Sequence, residues 1–200
     1  RRGARDAQTR FVVARDRRSL AVVHLQLPGR HNMLNACAVV ALCDQLHLDV
    51  SRMAKALSTF KGTHRRFEIV GEVHGVTIVD DYAHHPTKIR ATLEAARECF
   101  EGRKLWAVFQ PHTFSRTRAL LDDFAAALDA ADEVIVTEVF PARETDTLGV
   151  SGAQIVERMH QPRKHFLATL DEAAAFLQAQ LVSGDVVMLL GAGDINRLAE

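Results

Sequence analysis

The sequence has no long apolar run, no excess of charge of one sign and few cysteines. No apolar stretch approaches the roughly 18 residues that suggest a membrane-spanning helix, so no membrane insertion is expected. The 25 basic residues balance the 25 acidic ones, whereas a nucleic-acid-binding protein would show a basic excess. The cysteines, Cys37, Cys43 and Cys99, form no CxxC pair. This predicts reduced thiols in a cytoplasmic protein.

An initiator methionine is also missing. The basic first residues, Arg1 to Arg5, are not followed by the apolar stretch of a secretory signal, which argues against secretion. We therefore expect a fragment of a longer chain. With 48% hydrophobic and 25% charged residues over 200 positions, the composition is that of an ordinary globular protein. The length allows one domain and part of another.

Two hydrophobic patterns divide the chain near Lys61–His64. Before this point, Val-rich runs at Phe11–Arg15 and Leu20–Leu25 predict a hairpin. Apolar spacing then predicts helices over Asn32–Leu46 and Val50–Phe60, the second capped by Ser51. After it, strands and helices alternate. The predicted strands are Phe67–Val73, Val76–Asp80, Leu105–Gln110, Glu133–Glu138, His165–Ala168 and Asp185–Leu190, and the predicted helices are Thr87–Phe100, Thr117–Ala130, Ser151–His160 and Asp171–Leu181.

This alternation predicts an α/β fold with a Rossmann-like, doubly wound and mostly parallel sheet from about residue 66 onward. Strands such as Val186–Leu190 are apolar on both faces, as expected for a parallel sheet covered by helices. The polar, turn-rich segment Pro141–Gly149 is predicted to be a mobile loop.

Ligands of open α/β sheets gather beyond the carboxyl ends of the strands, and the loop Asp80–Thr87 falls there. Pro86 suits the first position of a helix, which puts two acids and two histidines at a helix N-terminus, where an anion is favoured. Helix capping in a solvated loop is the simpler alternative. A zinc site is also conceivable, but no third ligand is evident in the sequence.

Two more loops follow predicted strands. In Gln110–Thr117, Ser115 is a natural N-cap, and Arg116 in the first turn opposes the helix dipole. A cation placed in this way suggests a grip on a carboxylate or phosphate, although an exposed arginine is the alternative. Gly191–Asp194 is a poor dinucleotide fingerprint, because position 196 is Asn rather than a small residue. It is better interpreted as a tight strand exit.

Upstream, Arg65 and Arg66 lie at the predicted domain boundary, where a cation could reach across a cleft. A surface charge pair is an equal alternative. Asn32 and Asn35 are three residues apart on one helix face. Their amides could meet the edge of a purine, although helix capping is more common.

Five segments in this order resemble the Mur ligase family. They are LPGRHNMLNACAV, THRRFE, VDDYAHHPTKI, FQPHTFSRT and LGAGDI, and they span residues 27 to 195. The family has a UDP-binding domain, a central ATPase domain and a Rossmann-like C-terminal domain that binds the amino acid. The resemblance therefore implies that residues 1–62 are the end of the central domain and residues 63–200 the C-terminal domain. No lysine in the sequence follows a glycine, so the family's phosphate loop is missing.

The resemblance implies an ATP-dependent, ADP-forming ligase of peptidoglycan precursor synthesis in the cytoplasm. The loop FQPHTFSR is similar to that of the alanine-adding members, which join L-alanine to UDP-N-acetylmuramic acid through an acyl phosphate. ATP and Mg²⁺ would serve the full-length enzyme. The central domain's metal-binding Glu and His are also missing. Because the triphosphate site is absent, we expect this chain alone to be inactive, with no cofactor tightly bound.

Three alternatives remain. A ligase that recycles murein tripeptide shares the HHP loop, and a non-catalytic module could bind an amino acid or nucleotide. An NAD-dependent oxidoreductase is argued against by the missing third glycine and acid.

The resemblance also implies roles for individual residues. Asn32 and Asn35 match amides that contact adenine. Arg66 matches an arginine that reaches the γ-phosphate on domain closure. Asp81 matches an aspartate that helps to hold the nucleotide and the closed state. The amino-acid site would contain Tyr82, His84, His85 and Arg116, with Arg116 on the alanine carboxylate. Many relatives have a second arginine where this chain has Thr113, which suggests a differently shared grip on the carboxylate.

Overall fold

In this computed structural model, residues 9–200 are described, and the basic segment Arg1 to Arg5 lies outside them. The chain divides into two compact units. One comprises the residues up to Thr63 together with Ala95–Glu101, and the other comprises His64–Glu94 and Gly102–Glu200. The identity of the first unit as the end of an ATPase domain stays a prediction.

The first unit contains a hairpin and two helices, as predicted. Strands β1 (Thr9–Arg15) and β2 (Arg18–Leu25) pair antiparallel, and helices α1 (Arg30–Gln45) and α2 (Val50–Thr59) follow. The predicted Ser51 cap is wrong, because Ser51 lies inside α2. The N-cap is Asp49, whose side chain accepts a hydrogen bond from the Arg52 amide at 3.0 Å.

The second unit is built on a six-stranded sheet in the order β3-β4-β8-β5-β6-β7. Its strands are β3 (Glu68–Val73), β4 (Val76–Asp81), β5 (Leu105–Phe109), β6 (Glu133–Val136), β7 (Lys164–Phe166) and β8 (Val186–Leu190). Helix α3 (Pro86–Cys99) begins in this unit, and its residues from Ala95 onward are counted with the first unit. The other helices of the second unit are α4 (Phe114–Ala119), α5 (Leu121–Leu128), α6 (Ala153–Arg158) and α7 (Leu170–Gln180), followed by a 3₁₀ turn at Ile195–Ala199. Only the pairing of β3 with β4 is antiparallel. The predicted α/β class with a mostly parallel sheet is confirmed.

Helices cover both faces of the sheet, which explains why β5 and β8 are buried along their whole length. On one face, Trp106 and Leu189 join a core cluster with Leu177 of α7. On the other, the ring centroid of Phe109 lies 5.1 Å from that of Phe124 in α5. Alternate residues of one strand thus meet helices on opposite sides. Among residues 9–200, no helix is both long and apolar enough to cross a membrane.

The predicted single helix over Thr117–Ala130 is wrong in its start and its continuity. The first helix, α4, begins three residues earlier, and the chain breaks at Leu120, which has a φ of −129°. Ser115 is not the N-cap. That position is held by Thr113, with a left-handed φ of 69° and no capping bond from its side chain. The 3₁₀ turn at Ile195–Ala199 was not predicted.

Candidate functional site

Loops that follow β4, β5, β6 and β8 meet at the carboxyl edge of the sheet. The Gly191 amide donates to the Asp81 carbonyl, and the Gln110 amide donates to the Leu190 carbonyl. A Cβ atom on Gly193 would lie 2.3 Å from Gln110 Oε1 and 2.6 Å from the Phe140 ring. Only glycine fits this approach, so the GAGD segment is a tight strand exit between the other loops.

Arg65 binds the start of the unit to this edge. Its Nε donates to Asp80 Oδ2, and its two terminal nitrogens donate to the carbonyls of Gly191 and Gly193, all at 3.0 Å. Asp80 is buried, and its Oδ1 has no hydrogen-bond partner among the described residues. Burial raises the pKa of the Asp80 carboxyl, although the Arg65 guanidinium opposes that effect. Each of the three nitrogens of the Arg65 guanidinium therefore donates a hydrogen bond within the protein.

Arg66, in contrast, is exposed and lies beside Tyr82, with 5.3 Å between its guanidinium carbon and the ring centroid. It stands between two residues of left-handed φ, Arg65 and Phe67. The Phe67 amide donates to Asp81 Oδ2 at 2.8 Å, and the Tyr82 amide donates to the Arg65 carbonyl at 2.8 Å. The buried Asp81 thus supports the turn that presents Arg66.

The loop after β4 separates its two histidines. His84 is half-buried, and its Nδ1 lies 2.8 Å from the Tyr82 carbonyl. His85 is exposed, and the Thr87 amide donates to its Nδ1 at 3.4 Å as helix α3 begins at Pro86. Pro86 is the first helical residue, as predicted. The geometry places His84 toward the other loops and gives His85 a capping position at the helix start.

Arg116, His112 and His84 form a cluster at the start of α4. Arg116 Nη1 donates to the His112 carbonyl at 3.2 Å, and the His84 and His112 ring centroids are 6.1 Å apart. Phe140 stacks on His112 with centroids 5.6 Å apart. Burial is the main cause that lowers the pKa of both histidines, and the charge of Arg116 lowers each of them further. One cation therefore lies beside two imidazoles whose lowered pKa values favour their uncharged forms.

The two asparagines lie in the other compact unit, on α1. Asn32 Nδ2 donates to the Pro28 carbonyl at 2.8 Å, and Asn35 is exposed. Their common helix face, predicted from the spacing, is present. The capping alternative is not supported, because the N-cap of α1 is Gly29 and the Asn32 side chain donates to a carbonyl instead of accepting from a helix amide.

Sequence reasoning did not assign several residues of this edge. Arg65 was noticed only as a member of a charge pair, and Gln110 only as the end of a strand. Phe140 and Glu144 were not identified, because each contacts a loop more than 25 positions away and no local pattern signals such a contact. Among the described residues, no group of three His, Cys, Asp or Glu side chains could hold a metal ion.

Fold and site together define a Rossmann-like domain whose loops bring arginine and histidine side chains together at the carboxyl edge of its sheet, the edge where ligands of open α/β sheets gather. The family model described as "Mur ligase, glutamate ligase domain" matches residues 65–193. The chain belongs to the Mur ligase family.

Individual relatives agree with this assignment. Over 181 residues, 90% of this chain and 39% of the relative, the chain is 49% identical to the UDP-N-acetylmuramate–L-alanine ligase of Gloeobacter violaceus. It is 45% identical to the enzyme of that name from Salinibacter ruber, over 96% of this chain and 41% of the relative. The chain thus spans about 40% of the length of these curated relatives.

Solved structures give the same result. The UDP-N-acetylmuramate–alanine ligase of Thermotoga maritima matches with a TM-score of 0.81 and 34% identity, over 97% of this chain and 42% of that one. A murein peptide ligase from Psychrobacter arcticus matches with a TM-score of 0.69 and 25% identity, over 98% of this chain and 41% of that one.

Proposed function

We propose that this chain is the amino-acid-binding part of an ADP-forming ligase that joins L-alanine to UDP-N-acetylmuramic acid in peptidoglycan synthesis. The cluster of Arg116 with His84 and His112 carries the proposal, because it offers one cation for a carboxylate and imidazole nitrogens for an amine. The identities of 45–49% to alanine ligases favour alanine as the substrate. The murein peptide ligase is less similar, at 25%.

In this proposal Arg116 binds the alanine carboxylate. The Tyr82 carbonyl can only accept, so His84 Nδ1 carries the proton of that bond and its Nε2 is left as an acceptor. This nitrogen can take a proton from the alanine ammonium, which must lose one before the amine can attack. Tyr82 packs edge-on against His84, with centroids 5.1 Å apart, and fixes its ring. His85 contributes to the amino-acid site through the loop that it caps.

The nucleotide is assigned to Asn32 and Asn35 for adenine and to Arg66 for the γ-phosphate. The exposure of Arg66 fits a cation that meets phosphate, and Asp81 holds the turn that presents it. ATP, when bound, supplies the phosphoryl group that activates the sugar's lactyl carboxylate as an acyl phosphate. The described residues do not suit Mg²⁺, since they contain no cluster of metal-ligating side chains. With these substrates, the enzyme would act in the cytoplasm.

The test is ATP-dependent phosphate release by the native full-length polypeptide that carries this sequence. Release should require both UDP-N-acetylmuramic acid and L-alanine, and the alanine adduct should be seen by mass spectrometry. Release that required murein tripeptide instead would assign the recycling reaction. Binding of alanine without any release would leave a non-catalytic binding module.

A further inference from the structure

The loop after β6 is fastened to the start of α4 by a side chain that the proposed reaction does not use. Glu144 Oε2 accepts the Ser115 amide at 2.9 Å, and Glu144 Oε1 accepts the Ser115 hydroxyl. Ser115 and Arg116 are the second and third residues of α4. The contact with Glu144 thus ends one residue before the arginine assigned to the alanine carboxylate.

Helix α4 needs this contact for two reasons. Its N-cap residue, Thr113, makes no capping bond with its side chain, so the first amides of the helix depend on a partner from elsewhere. The helix also carries Arg116, whose positive charge acts on the Glu144 carboxylate. A carboxylate at this end satisfies the amide and offsets the charge. A helix of six residues has little stability of its own.

A second anchor lies four residues before Glu144. The Phe140 amide donates to the Pro111 carbonyl at 2.8 Å, and the Thr113 amide donates to the Phe140 carbonyl at 2.9 Å. The Phe140 ring stacks on His112. Segment 140–144 therefore contacts the loop on both sides of His112, and its last contact is one residue before Arg116. Thr113, held at a φ of 69°, lies between these two anchors, and such backbone strain persists only where surrounding contacts fix it.

We propose that Glu144 is a positioning residue for amino-acid binding: it fixes the first turn of α4 so that the Arg116 guanidinium is held ready for the substrate carboxylate. This inference rests on the proposed function, because it takes Arg116 as the carboxylate ligand. Glu144 itself touches no substrate.

The test compares Glu144→Ala, Glu144→Gln and the matched control Asp146→Asn in the native full-length polypeptide. Asp146 is a carboxylate of the same loop that accepts a bond from the Leu148 amide. Glu144→Ala should raise KM for alanine about tenfold, with KM for ATP unchanged. The KM for alanine of Glu144→Gln should lie between those of the wild type and Glu144→Ala, because the amide oxygen of glutamine still accepts one hydrogen bond. Asp146→Asn should behave like the wild type.

A double-mutant cycle with Arg116→Ala separates positioning from a general structural role. If Glu144 acts through Arg116, Glu144→Ala should add less than about twofold to KM once Arg116 is gone. Equal effects in both backgrounds would overturn the inference, as would an unchanged KM in the single variant. Amide hydrogen exchange at Ser115 should be faster in Glu144→Ala, and unchanged exchange would also overturn it. Absence of alanine ligation by the wild type would instead overturn the proposed function, and with it the role of Arg116.

Discussion

Arg116 is the residue on which the proposed amino-acid site depends most. Its Nη1 donates to the His112 carbonyl at 3.2 Å, which leaves further N–H groups of the guanidinium for a substrate carboxylate. Replacing Arg116 with Ala should raise KM for alanine about 10- to 100-fold, as expected for hydrogen bonds to a charged group. KM for ATP should change little.

Arg118 offers a matched control for this variant, because it is an exposed arginine of the same helix. Steady-state kinetics with each substrate varied would make the comparison. Equal effects of Arg116→Ala on alanine and ATP, or an equal effect of Arg118→Ala, would contradict the assigned role.

Arg65 and Arg66 are neighbours with different surroundings, and they should respond differently to substitution. Arg65→Ala would leave Asp80 buried without its cation, which should lower the free energy of unfolding by about 3–5 kcal/mol. Arg66→Ala removes an exposed side chain and should change that energy by less than about 0.5 kcal/mol. It should instead reduce kcat, because its phosphate contact is proposed to form on closure.

Urea unfolding of both variants measures the first difference, and turnover at saturating substrates measures the second. A Arg66→Ala variant with normal turnover would remove Arg66 from the mechanism. An unchanged unfolding midpoint in Arg65→Ala would show that its bonds to Asp80 and to the glycine carbonyls contribute little to stability.

The residues of the site were predictable where a local pattern marked them. The two histidines before Pro86 and the arginine at the start of α4 follow strand ends, and strand ends of a parallel sheet share one edge. Phe140 and Glu144 could not be found in this way, since a stacked ring and a capping bond from another loop depend on tertiary packing. Tertiary packing also decides that Arg65 is half-buried and Arg66 exposed, which the sequence of two adjacent arginines did not show.

At the scale of elements, Glu133 joins three strands at the amino edge of the sheet. Its carboxylate accepts from Lys104 Nζ at 2.6 Å and lies 3.0 Å from His165 Nε2. Burial raises the pKa of Glu133, but the bonds from Lys104 and His165 outweigh burial and leave it below its usual value. A lowered pKa means that the folded state favours the charged form, so the stabilisation is present above the unfolded pKa and is lost as pH falls through the folded one.

Glu133→Gln tests this linkage. The wild type should exceed the variant in unfolding free energy by about 1–3 kcal/mol near pH 7. The difference should shrink as the pH falls below the usual pKa of a glutamate. Denaturant unfolding of both proteins at a series of pH values would measure this difference in unfolding free energy. A difference independent of pH would contradict the role of the ionised carboxylate.

Hydrophobic periodicity located the strands and most helices, because the central strands β5, β6 and β8 are buried along their whole length and helices such as α5 and α7 bury one face. It missed the break between α4 and α5, where the apolar pattern continues through Leu120 and Leu121 while the backbone changes direction. The capping preference of serine also favoured Ser51 and Ser115 as N-caps. The structure uses Asp49 for the first and a left-handed Thr113 for the second, a choice that the loop contacts of Thr113 and Phe140 determine.

At the scale of the whole molecule, the proposed activity needs more than this chain. The sequence has no Gly-Lys pair for a phosphate loop, and the chain spans about 40% of the length of its curated relatives. The 200-residue chain alone should therefore release no phosphate from ATP when alanine and UDP-N-acetylmuramic acid are both present. The full-length polypeptide should release it under the same conditions.

A full-length Arg116→Ala variant assayed at low alanine would show how far weakened substrate binding alone reduces the signal. It would separate that effect from the loss of the phosphate-binding part. Phosphate release by the isolated chain, dependent on both substrates, would mean that residues 1–200 contain a triphosphate site of another kind. Arg66 and the turn held by Asp81 would then be the first place to look for it, since this exposed cation faces solvent beside Tyr82.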